Sequence, residues 1–194
     1  MFTFDIENPD KLFFTSDTHF GHYNIAKYCH RPFESRSAMD SALIDNWNSV
    51  VPEDGIVVHC GDFTLIHKED LGKYLALFRK LNGSILLCRG NHDRIPLVTE
   101  PIEKLIASVD IAQINVEGIK IMASHYPMLA YPADFQVFGH IHTLSDGSCY
   151  GVDGEVSKIL KNSQYDVGVD QNNYKPVSYW QLCDIFRIKR IKQQ

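Results

Sequence analysis

Five short segments carry the side chains best suited to chemistry. In chain order they are Asp17-Thr18-His19, Gly61-Asp62, Gly90-Asn91-His92-Asp93, Ser124-His125 and Gly139-His140-Ile141-His142. Carboxylates, imidazoles and amide oxygens are hard or borderline ligands, which suit Mn, Fe, Zn, Co or Ni better than thiolate-bound metals. The residue types therefore favour a site for divalent cations that needs no cysteine.

Two of these segments contain ligand types two residues apart. In extended backbone such residues point to the same face, so Asp17 with His19, and His140 with His142, are each expected to aim at one metal. Any one segment alone is weak evidence for a metal site, because a lone histidine such as His125 is more often a hydrogen-bonded structural residue than a ligand. The prediction rests on the five segments occurring together.

Short apolar runs precede these segments and have the composition of buried strands. The predicted strands are Lys11 to Ser16, Gly55 to Cys60, Ser84 to Cys88, Ile119 to Ser124 and Phe135 to Phe138. In open α/β sheets the loops at the carboxyl ends of strands converge on one crevice. The segments are therefore expected to form one site.

Helical spacing of apolar residues alternates with these strands. The predicted helices are Ser37 to Val50 with Ser37 as its cap, Lys68 to Leu81, Pro101 to Ser108 and Ser178 to Phe186. Glu117-Gly118 is typical of a tight hairpin turn, and Tyr165 to Val169 is strand-like. Together these elements predict a layered α/β fold in which helices flank mixed β-sheets.

Composition narrows the class of protein. The chain has 194 residues, 44% of them hydrophobic, which predicts a single domain spanning residues 1–194. Its formal net charge of −5 excludes a general basic surface for long nucleic acids. Five cysteines without a C-x-x-C pair favour reduced thiols and a cytoplasmic location. No run approaches the ~20 apolar residues of a membrane span, so we expect no membrane association. No segment of the sequence indicates an obligate protein partner.

The ordered set D-x-H, G-D, G-N-H-D, a lone histidine and G-H-x-H resembles the signature of the calcineurin-like metallophosphoesterase superfamily. The resemblance covers most of the chain. Asp17 to His22 and Gly168 to Ser178 also resemble stretches of small bacterial and phage-encoded members. The resemblance implies a four-layer α-β-β-α sandwich and metal-dependent hydrolysis of phosphoester bonds.

Carried over by matching motif, the resemblance also implies two divalent metal ions, with Mn favoured and Fe, Zn, Ni or Co compatible. Two cations about 3.5–4 Å apart can share a carboxylate and a hydroxide that attacks phosphorus. The implied ligands are Asp17, His19 and His142 for one metal, Asn91, His125 and His140 for the other, and Asp62 bridging both.

His92 resembles the family's catalytic histidine, which is not a ligand and assists the leaving group. Asp93 either orients His92 by fixing its tautomer or caps the following turn.

Several residues outside the five segments could either contribute to the site or have a purely structural role. His22, Asn24 and Arg31 either contact a substrate phosphate or hold their own loop by local hydrogen bonds. Asp170, Asn172 and Asn173 either line the crevice or, as favoured here, form turn hydrogen bonds. Tyr126 is expected at the rim of the pocket, stacked on a base or covering the metals. His30, His59 and His67 are expected to be structural or exposed.

The expected activity is a phosphodiesterase acting on a small phosphoester, such as a nucleotide or a nucleic-acid end. The acidic charge disfavours tracking along duplex DNA. A phosphomonoesterase or a nucleotide pyrophosphohydrolase is the alternative. A non-catalytic module that binds metal or nucleic acid is a further alternative, which the complete set of ligands disfavours.

Overall fold

The structure is a computed structural model that describes residues 1–65, 70–93, 102–144, 146–149 and 159–188. The beginning of the helix predicted from Lys68, the histidine at position 67 and most of the basic C-terminal tail lie outside these ranges. The strands are β1 (Phe2–Ile6), β2 (Leu12–Thr15), β3 (Ile56–His59), β4 (Ser84–Cys88), β5 (Leu105–Val109), β6 (Ile111–Val116), β7 (Ile119–Ser124), β8 (Phe135–Phe138), β9 (Gln164–Asp166) and β10 (Val177–Ser178). The helices are α1 (Asn24–Tyr28), α2 (Arg36–Asn48), α3 (Leu71–Lys80) and α4 (Tyr179–Ile185).

These strands form two five-stranded sheets. The first sheet has the order β10-β2-β3-β4-β5, and the second has the order β1-β6-β7-β8-β9. The pairs β10–β2 and β6–β7 are antiparallel, and all other neighbouring pairs are parallel. The prediction of mixed sheets flanked by helices is confirmed.

The inner faces of the sheets share one apolar core. Along β2 successive side chains alternate, so that Leu12 and Phe14 face the second sheet while Phe13 faces the helices. In β4, Leu86 points inward and Ile85 outward in the same way. Because both faces of these central strands are buried, their sequences read as nearly continuous apolar runs.

Helices α1, α2 and α3 pack on the outer face of the first sheet. Helix α2 buries Met39, Leu43 and Trp47 at four-residue spacing, so all three lie on one side of it. Its cap is Ser35, whose side chain accepts a hydrogen bond from the Ala38 amide. The prediction of Ser37 as the cap is therefore wrong, because the extended backbone ends at Ser35 and the helix has already begun at position 37.

Helix α4 closes the edge of the sandwich rather than covering a sheet face. Ser178 and Gln181 form a reciprocal capping box at its start. Tyr179, Leu182 and Cys183 insert into the core between the sheets. In the described ranges the two sheets form the inner layers, and α1, α2 and α3 form an outer layer on the first sheet. None of the helices in this part of the chain is long and apolar enough to cross a bilayer.

The segment predicted as a helix from Pro101 to Ser108 forms strand β5 over its described second half. Leu105–Val109 pairs in parallel with β4 at the edge of the first sheet. The prediction is wrong because an open sheet edge supplies backbone partners to a short β-branched segment, and this outweighs a weak helical preference.

The turn predicted at Glu117-Gly118 joins β6 to β7 as an antiparallel hairpin. Both turn residues have positive φ, 50° and 79°, the signature of a tight hairpin turn that matches the twist of its strands. Strand β1, which the sequence pattern does not reveal, pairs in parallel with β6.

Truncating the inter-sheet core should destabilise the protein strongly. Leu86 has no exposed surface, so Leu86→Ala should lower the free energy of unfolding by about 2–5 kcal/mol, through lost burial and the cavity left behind. Leu129, which is 81% exposed, provides a matched control, because Leu129→Ala should change stability by less than about 0.5 kcal/mol. Urea unfolding followed by circular dichroism measures both. Equal stability of the two variants would contradict the packing described.

Candidate metal centre

The five polar segments meet where parallel strands of both sheets end. The ends are tied to one another through the backbone, for Asp17 N–H donates to the Gly61 carbonyl at 3.0 Å and Gly139 N–H donates to the His125 carbonyl at 3.0 Å. Ser16 and Gly168 form a parallel bridge that links the two sheets at this edge. The convergence expected from the strand order is therefore present.

A first cluster consists of Asp17, His19 and His142. One potential ligand atom from each side chain lies within 4.8 Å of the others. Nε2 of His142 is 3.8 Å from Oδ1 of Asp17. All three residues are buried, Asp17 completely. These side chains could hold a cation away from bulk water.

A second cluster consists of Asp62, His125 and His140, again with ligand atoms within 4.8 Å of one another. Oδ1 of Asn91 adjoins it, 3.0 Å from Nε2 of His125, and Nδ1 of His140 lies 3.2 Å from the same nitrogen. Asn91 is exposed and His140 is partly exposed. The second cluster therefore opens to solvent where the first does not.

Asp62 stands between the two clusters. Its Oδ2 atom is 3.5 Å from Nε2 of His19 and 3.5 Å from Nε2 of His125. Its Oδ1 atom accepts a hydrogen bond from the backbone N–H of His92 at 2.8 Å. One carboxylate is thus within reach of both groups of ligands.

The chemistry of the donors fits divalent cations. Neither ring nitrogen of buried His19 has a hydrogen-bond partner, although an unsatisfied buried polar atom is costly. Burial lowers the pKa of His19 well below its usual value and lowers the pKa of His125 and of His140 to about 4. Neutral imidazoles with free lone pairs are the form that binds metal.

The first cluster concentrates negative charge. Burial, with the charges of Asp166 and Asp62, raises the pKa of Asp17 to about 8. Burial opposes the charged form of His142, but the Asp17 carboxylate and a hydrogen bond with Asp170 raise the pKa of His142 to about 11. Without a cation, the cluster therefore takes up protons to offset its carboxylates.

Left-handed backbone presents the ligands. The φ angles are 55° at Asp17, 51° at His19, 53° at Asp62, 74° at His140 and 45° at His142. Asp17 and His19 do share a cluster, but His140 and His142 belong to different ones. The expectation that His140 and His142 aim at one metal is therefore wrong. All four residues have left-handed backbone, to which the alternation rule for extended strands does not apply, so the two-residue spacing does not decide which side chains share a cluster.

Two glycines, Gly139 and Gly90, allow their loops to pack directly against the carboxylates of Asp17 and Asp62. A Cβ atom at Gly139 would overlap the Ser16 hydroxyl and the Asp17 carboxylate, and one at Gly90 would overlap the Asp62 carboxylate. In place of a side chain at residue 139, the next amide, His140 N–H, donates to Oδ2 of Asp17 at 3.0 Å. Both carboxylates are thereby held from the backbone side.

Comparison with known proteins places this site in a family. A sequence model of the family described as calcineurin-like phosphoesterase matches residues 11–122. The chain belongs to the calcineurin-like phosphoesterase family. An uncharacterised protein of Methanocaldococcus jannaschii, MJ1445, is 36% identical over 171 residues, covering 87% of this chain and 86% of that protein. A solved structure of a protein of unknown function from Aquifex aeolicus, AQ665, superposes with a TM-score of 0.67 at 26% identity, covering 90% of this chain and 98% of that one.

Membership makes this chain a metal-dependent hydrolase of phosphoester bonds. His22 and His92 lie beside the first cluster of the phosphoesterase, with ring centroids 5.5 and 5.3 Å from that of His19. The rings of His22 and His92 are 5.9 Å apart, and Nδ1 of His22 is buried without a hydrogen-bond partner. Neither imidazole belongs to a ligand cluster. Both rings therefore border the first cluster without being part of it.

Asp93 hydrogen-bonds the backbone of two loops of the site. Its carboxylate accepts hydrogen bonds from the backbone N–H groups of Gly90, Asp62 and Phe63, each at 2.8 Å. In the described ranges no hydrogen bond joins Asp93 to the ring of His92, contrary to the predicted orienting role. The turn that follows Asp93 lies outside the described ranges, so the alternative of a cap there stays a prediction. Asp93 fixes the loop of Asn91 against the loop of Asp62, satisfying amides that no strand partner reaches.

Arg31 does not reach a substrate. Its side chain is buried and forms a bidentate pair with Asp170, Nε to Oδ1 at 2.7 Å and Nη2 to Oδ2 at 3.0 Å. The predicted substrate contact is wrong, because Nε, Nη1 and Nη2 of the buried guanidinium all donate hydrogen bonds within the protein. Asn24 is exposed in the first turn of α1, and its contact with substrate stays a prediction.

Two acidic residues at the end of the chain support the site. The turn role favoured for Asp170 is wrong, since its carboxylate binds His142 and Arg31. The turn role favoured for Asn172 is confirmed, since its side chain donates to the carbonyls of Asp166 and Gly168. Asp166, which sequence reasoning missed, is buried and accepts from the Thr143 and Gly168 amides. The signal for Asp166 is its position at the end of β9, the same signal that identifies the other segments.

His59 is structural, as predicted. Its Nδ1 atom accepts from the Gly61 N–H at 3.2 Å, and its Nε2 atom pairs with the Thr18 hydroxyl at 3.0 Å, which itself donates to the Phe63 carbonyl. A proton on Nδ1 would break the bond to Gly61. Burial lowers the pKa of His59 to about 3.

His59 should make the metal-free protein sensitive to acid. Between pH 6.5 and 3 the unfolded chain binds a proton at His59 that the folded chain does not, so stability falls as the pH falls. His59→Gln should reduce this slope by up to ~1.4 kcal/mol per pH unit between pH 6 and 4. Urea unfolding of the EDTA-treated protein at several pH values measures it. The exposed His30, replaced by Asn, is the control, and parallel curves for all three proteins would contradict the prediction.

Proposed function

We propose that this phosphoesterase hydrolyses phosphodiesters with two divalent cations, Mn preferred. The observation that carries the proposal is the position of Asp62, whose Oδ2 atom is equally distant, at 3.5 Å, from one histidine of each cluster. A carboxylate within reach of two metal positions is the arrangement that two-metal hydrolases need. The proposed ligands are Asp17, His19 and His142 for the first cation, Asn91, His125 and His140 for the second, and Asp62 for both.

Bound cations would supply a nucleophile from water near neutral pH and would neutralise charge on the phosphoryl oxygens. The residues of the chain determine how substrate reaches them. Because the first cluster is buried and Asn91 and His140 are accessible, substrate enters from the side of the second cluster. The phosphoryl group then lies between this opening and the imidazoles of His22 and His92.

His92 is the proposed general acid. The hydrogen bond from its backbone N–H to Asp62 anchors it beside the bridging carboxylate, while its ring lies outside both clusters. From there its imidazole can donate a proton to the leaving alkoxide, a contribution of about 10²–10⁴-fold for a positioned acid. His22, whose buried Nδ1 lacks a partner, is the proposed contact to a phosphoryl oxygen.

The charge of the site favours a diester over a monoester. A phosphomonoester dianion is stabilised by additional fixed cations such as arginine. Arg31, which contacts the backbone of Asp17 and Thr18, is instead committed to Asp170. A singly charged diester demands less positive charge than the dianion, and two metal ions can supply it.

Tyr126 favours a nucleotide-like substrate. Tyr126 is 49% exposed, and the centroid of its ring lies 4.6 Å from that of His140 and 4.9 Å from that of His125. An exposed aromatic ring beside a phosphate-binding site offers a stacking surface for a base. With the net charge of −5, this favours a small nucleotide diester or a nucleic-acid end over a long duplex.

The decisive assay compares a diester with a monoester. Protein stripped of metal and reloaded with Mn, Ni, Co or Zn should hydrolyse bis(p-nitrophenyl) phosphate faster than p-nitrophenyl phosphate. His92→Ala should lower kcat about 10²–10⁴-fold while both metal ions stay bound, since His92 is not a ligand. Asp62→Asn should lose activity together with metal. His30→Asn is the control for a histidine outside the site. A monoester preference, or full activity in His92→Ala, would overturn the proposal.

The role of Tyr126 is tested by separating its ring from its hydroxyl. Tyr126→Ala should raise KM for a dinucleotide diester about 5–150-fold, the equivalent of the ~1–3 kcal/mol of one stacked base. Tyr126→Phe keeps the ring and should keep KM near the wild-type value. Methyl p-nitrophenyl phosphate, which carries no base, should show a much smaller change. An unchanged dinucleotide KM in the alanine variant would exclude stacking.

A further inference from the structure

A buried polar network lies behind the first cluster. Oδ2 of Asp170 is 2.8 Å from Nδ1 of His142, on the side of the ring opposite the nitrogen that faces Asp17. The side chain of Asp170 is 1% exposed and that of His142 is 8% exposed. Because a carboxylate accepts a hydrogen bond, this contact fixes the proton of His142 on Nδ1 and leaves the Nε2 lone pair directed into the cluster.

Arg31 connects this pair to a second part of the same cluster. Besides its bidentate bond to Asp170, it donates from Nη2 to the Asp17 carbonyl at 2.7 Å and from Nη1 to the Thr18 carbonyl at 3.1 Å. One guanidinium group therefore joins the loop that carries Asp17 and His19 to the carboxylate that holds His142. A planar fork of five donors can make these bonds at once, whereas an ammonium group cannot.

The second cluster is supported differently. Nδ1 of His125 pairs with the backbone carbonyl of Cys60 at 2.9 Å, and Asp93 holds the loop of Asn91 through backbone amides. In the described ranges neither Arg31 nor Asp170 contacts His125, His140 or Asn91. The side chains that support the two clusters therefore differ, although His140 N–H also donates to the Asp17 carboxylate and so joins one cluster to the other.

We propose that Arg31 and Asp170 are positioning residues for the first metal position alone. They hold His142 and the Asp17–Thr18 backbone in the geometry that the first cation needs, and the second position does not depend on them. This inference rests on the two-metal function proposed above. Outer-shell partners of this kind typically alter metal affinity 10–100-fold.

A separate cation site in the network is the competing interpretation. Cys29, His142 and Asp170 also bring potential ligand atoms within 4.8 Å of one another. The guanidinium of Arg31 opposes it, because it occupies both oxygens of Asp170 and places a fixed positive charge where a cation would bind. Arginine already fills the role that a metal would have there.

The test is Mn²⁺ titration of the metal-free full-length protein by calorimetry, with electron paramagnetic resonance to distinguish coupled from isolated Mn²⁺. Wild type should bind two ions and give a spin-coupled signal. Asp170→Asn should weaken one ion about 10–100-fold and leave the other unchanged, so that at intermediate Mn²⁺ an isolated-ion signal replaces the coupled one. Arg31→Lys keeps the positive charge but loses the forked set of donors, so it should also weaken the binding of one ion. This variant provides the test if Asp170→Asn fails to fold.

Asn91→Ala is the matched control, because it should weaken the other ion and leave the position supported by Asp170 intact. If Asp170→Asn and Arg31→Lys both bind two ions with wild-type affinity, the positioning role is overturned. It is also overturned if either variant binds both ions with equally reduced affinity. A third ion in wild type that Asp170→Asn removes would favour the site at Cys29 instead. If wild type itself binds a single ion, the two-metal function fails, which is distinguishable from failure of the positioning role.

Discussion

Buried carboxylates packed at one sheet edge are the constraint on which the site depends. Asp17, Asp62, Asp166 and Asp170 all lie where strands of the two sheets end, and all are buried. Carboxylates held this close in a poorly solvated interior repel one another and require compensating positive charge. In the absence of cations, bound protons offset the negative charge, as the pKa of Asp17 of about 8 indicates. At Asp170 the guanidinium of Arg31 supplies a permanent positive charge. Divalent cations are the charges that this arrangement fits at the remaining positions.

The same constraint explains the asymmetry between the two clusters. The first cluster is enclosed and held from behind by charged side chains, whereas the second is held largely by backbone groups and opens to solvent through Asn91 and His140. The site of this calcineurin-like phosphoesterase therefore has one enclosed side and one side that is open to solvent. Tyr126, His22 and His92 border the site without belonging to either cluster.

The sequence predicts those features that depend on neighbours along the chain. Buried parallel strands are apolar on both faces, which made β2, β3 and β4 recognisable with the polar segments that follow them. What escaped prediction depends on partners far away. Arg31 and Asp170 are 139 positions apart, so neither sequence neighbourhood reveals the ion pair. Strand β5 formed because β4 offered an edge. The spacing of His140 and His142 could not decide whether they share a cluster, because the alternation rule assumes an extended strand and both residues have left-handed backbone, as do Asp17 and His19, which do share one.

The wide separation of these supporting residues also bears on how the protein is made. Asp17 is synthesised well before Asp170, whose carboxylate orients His142, so no nascent fragment that stops short of Asp170 contains the first cluster with its supports. Loop closure over such a distance is slow compared with local helix formation. Metal loading of the first cluster is therefore expected to follow synthesis of Asp170. Since nitrogen and oxygen ligands accept several divalent ions, the ion acquired would reflect the metal pool of the compartment in which folding finishes.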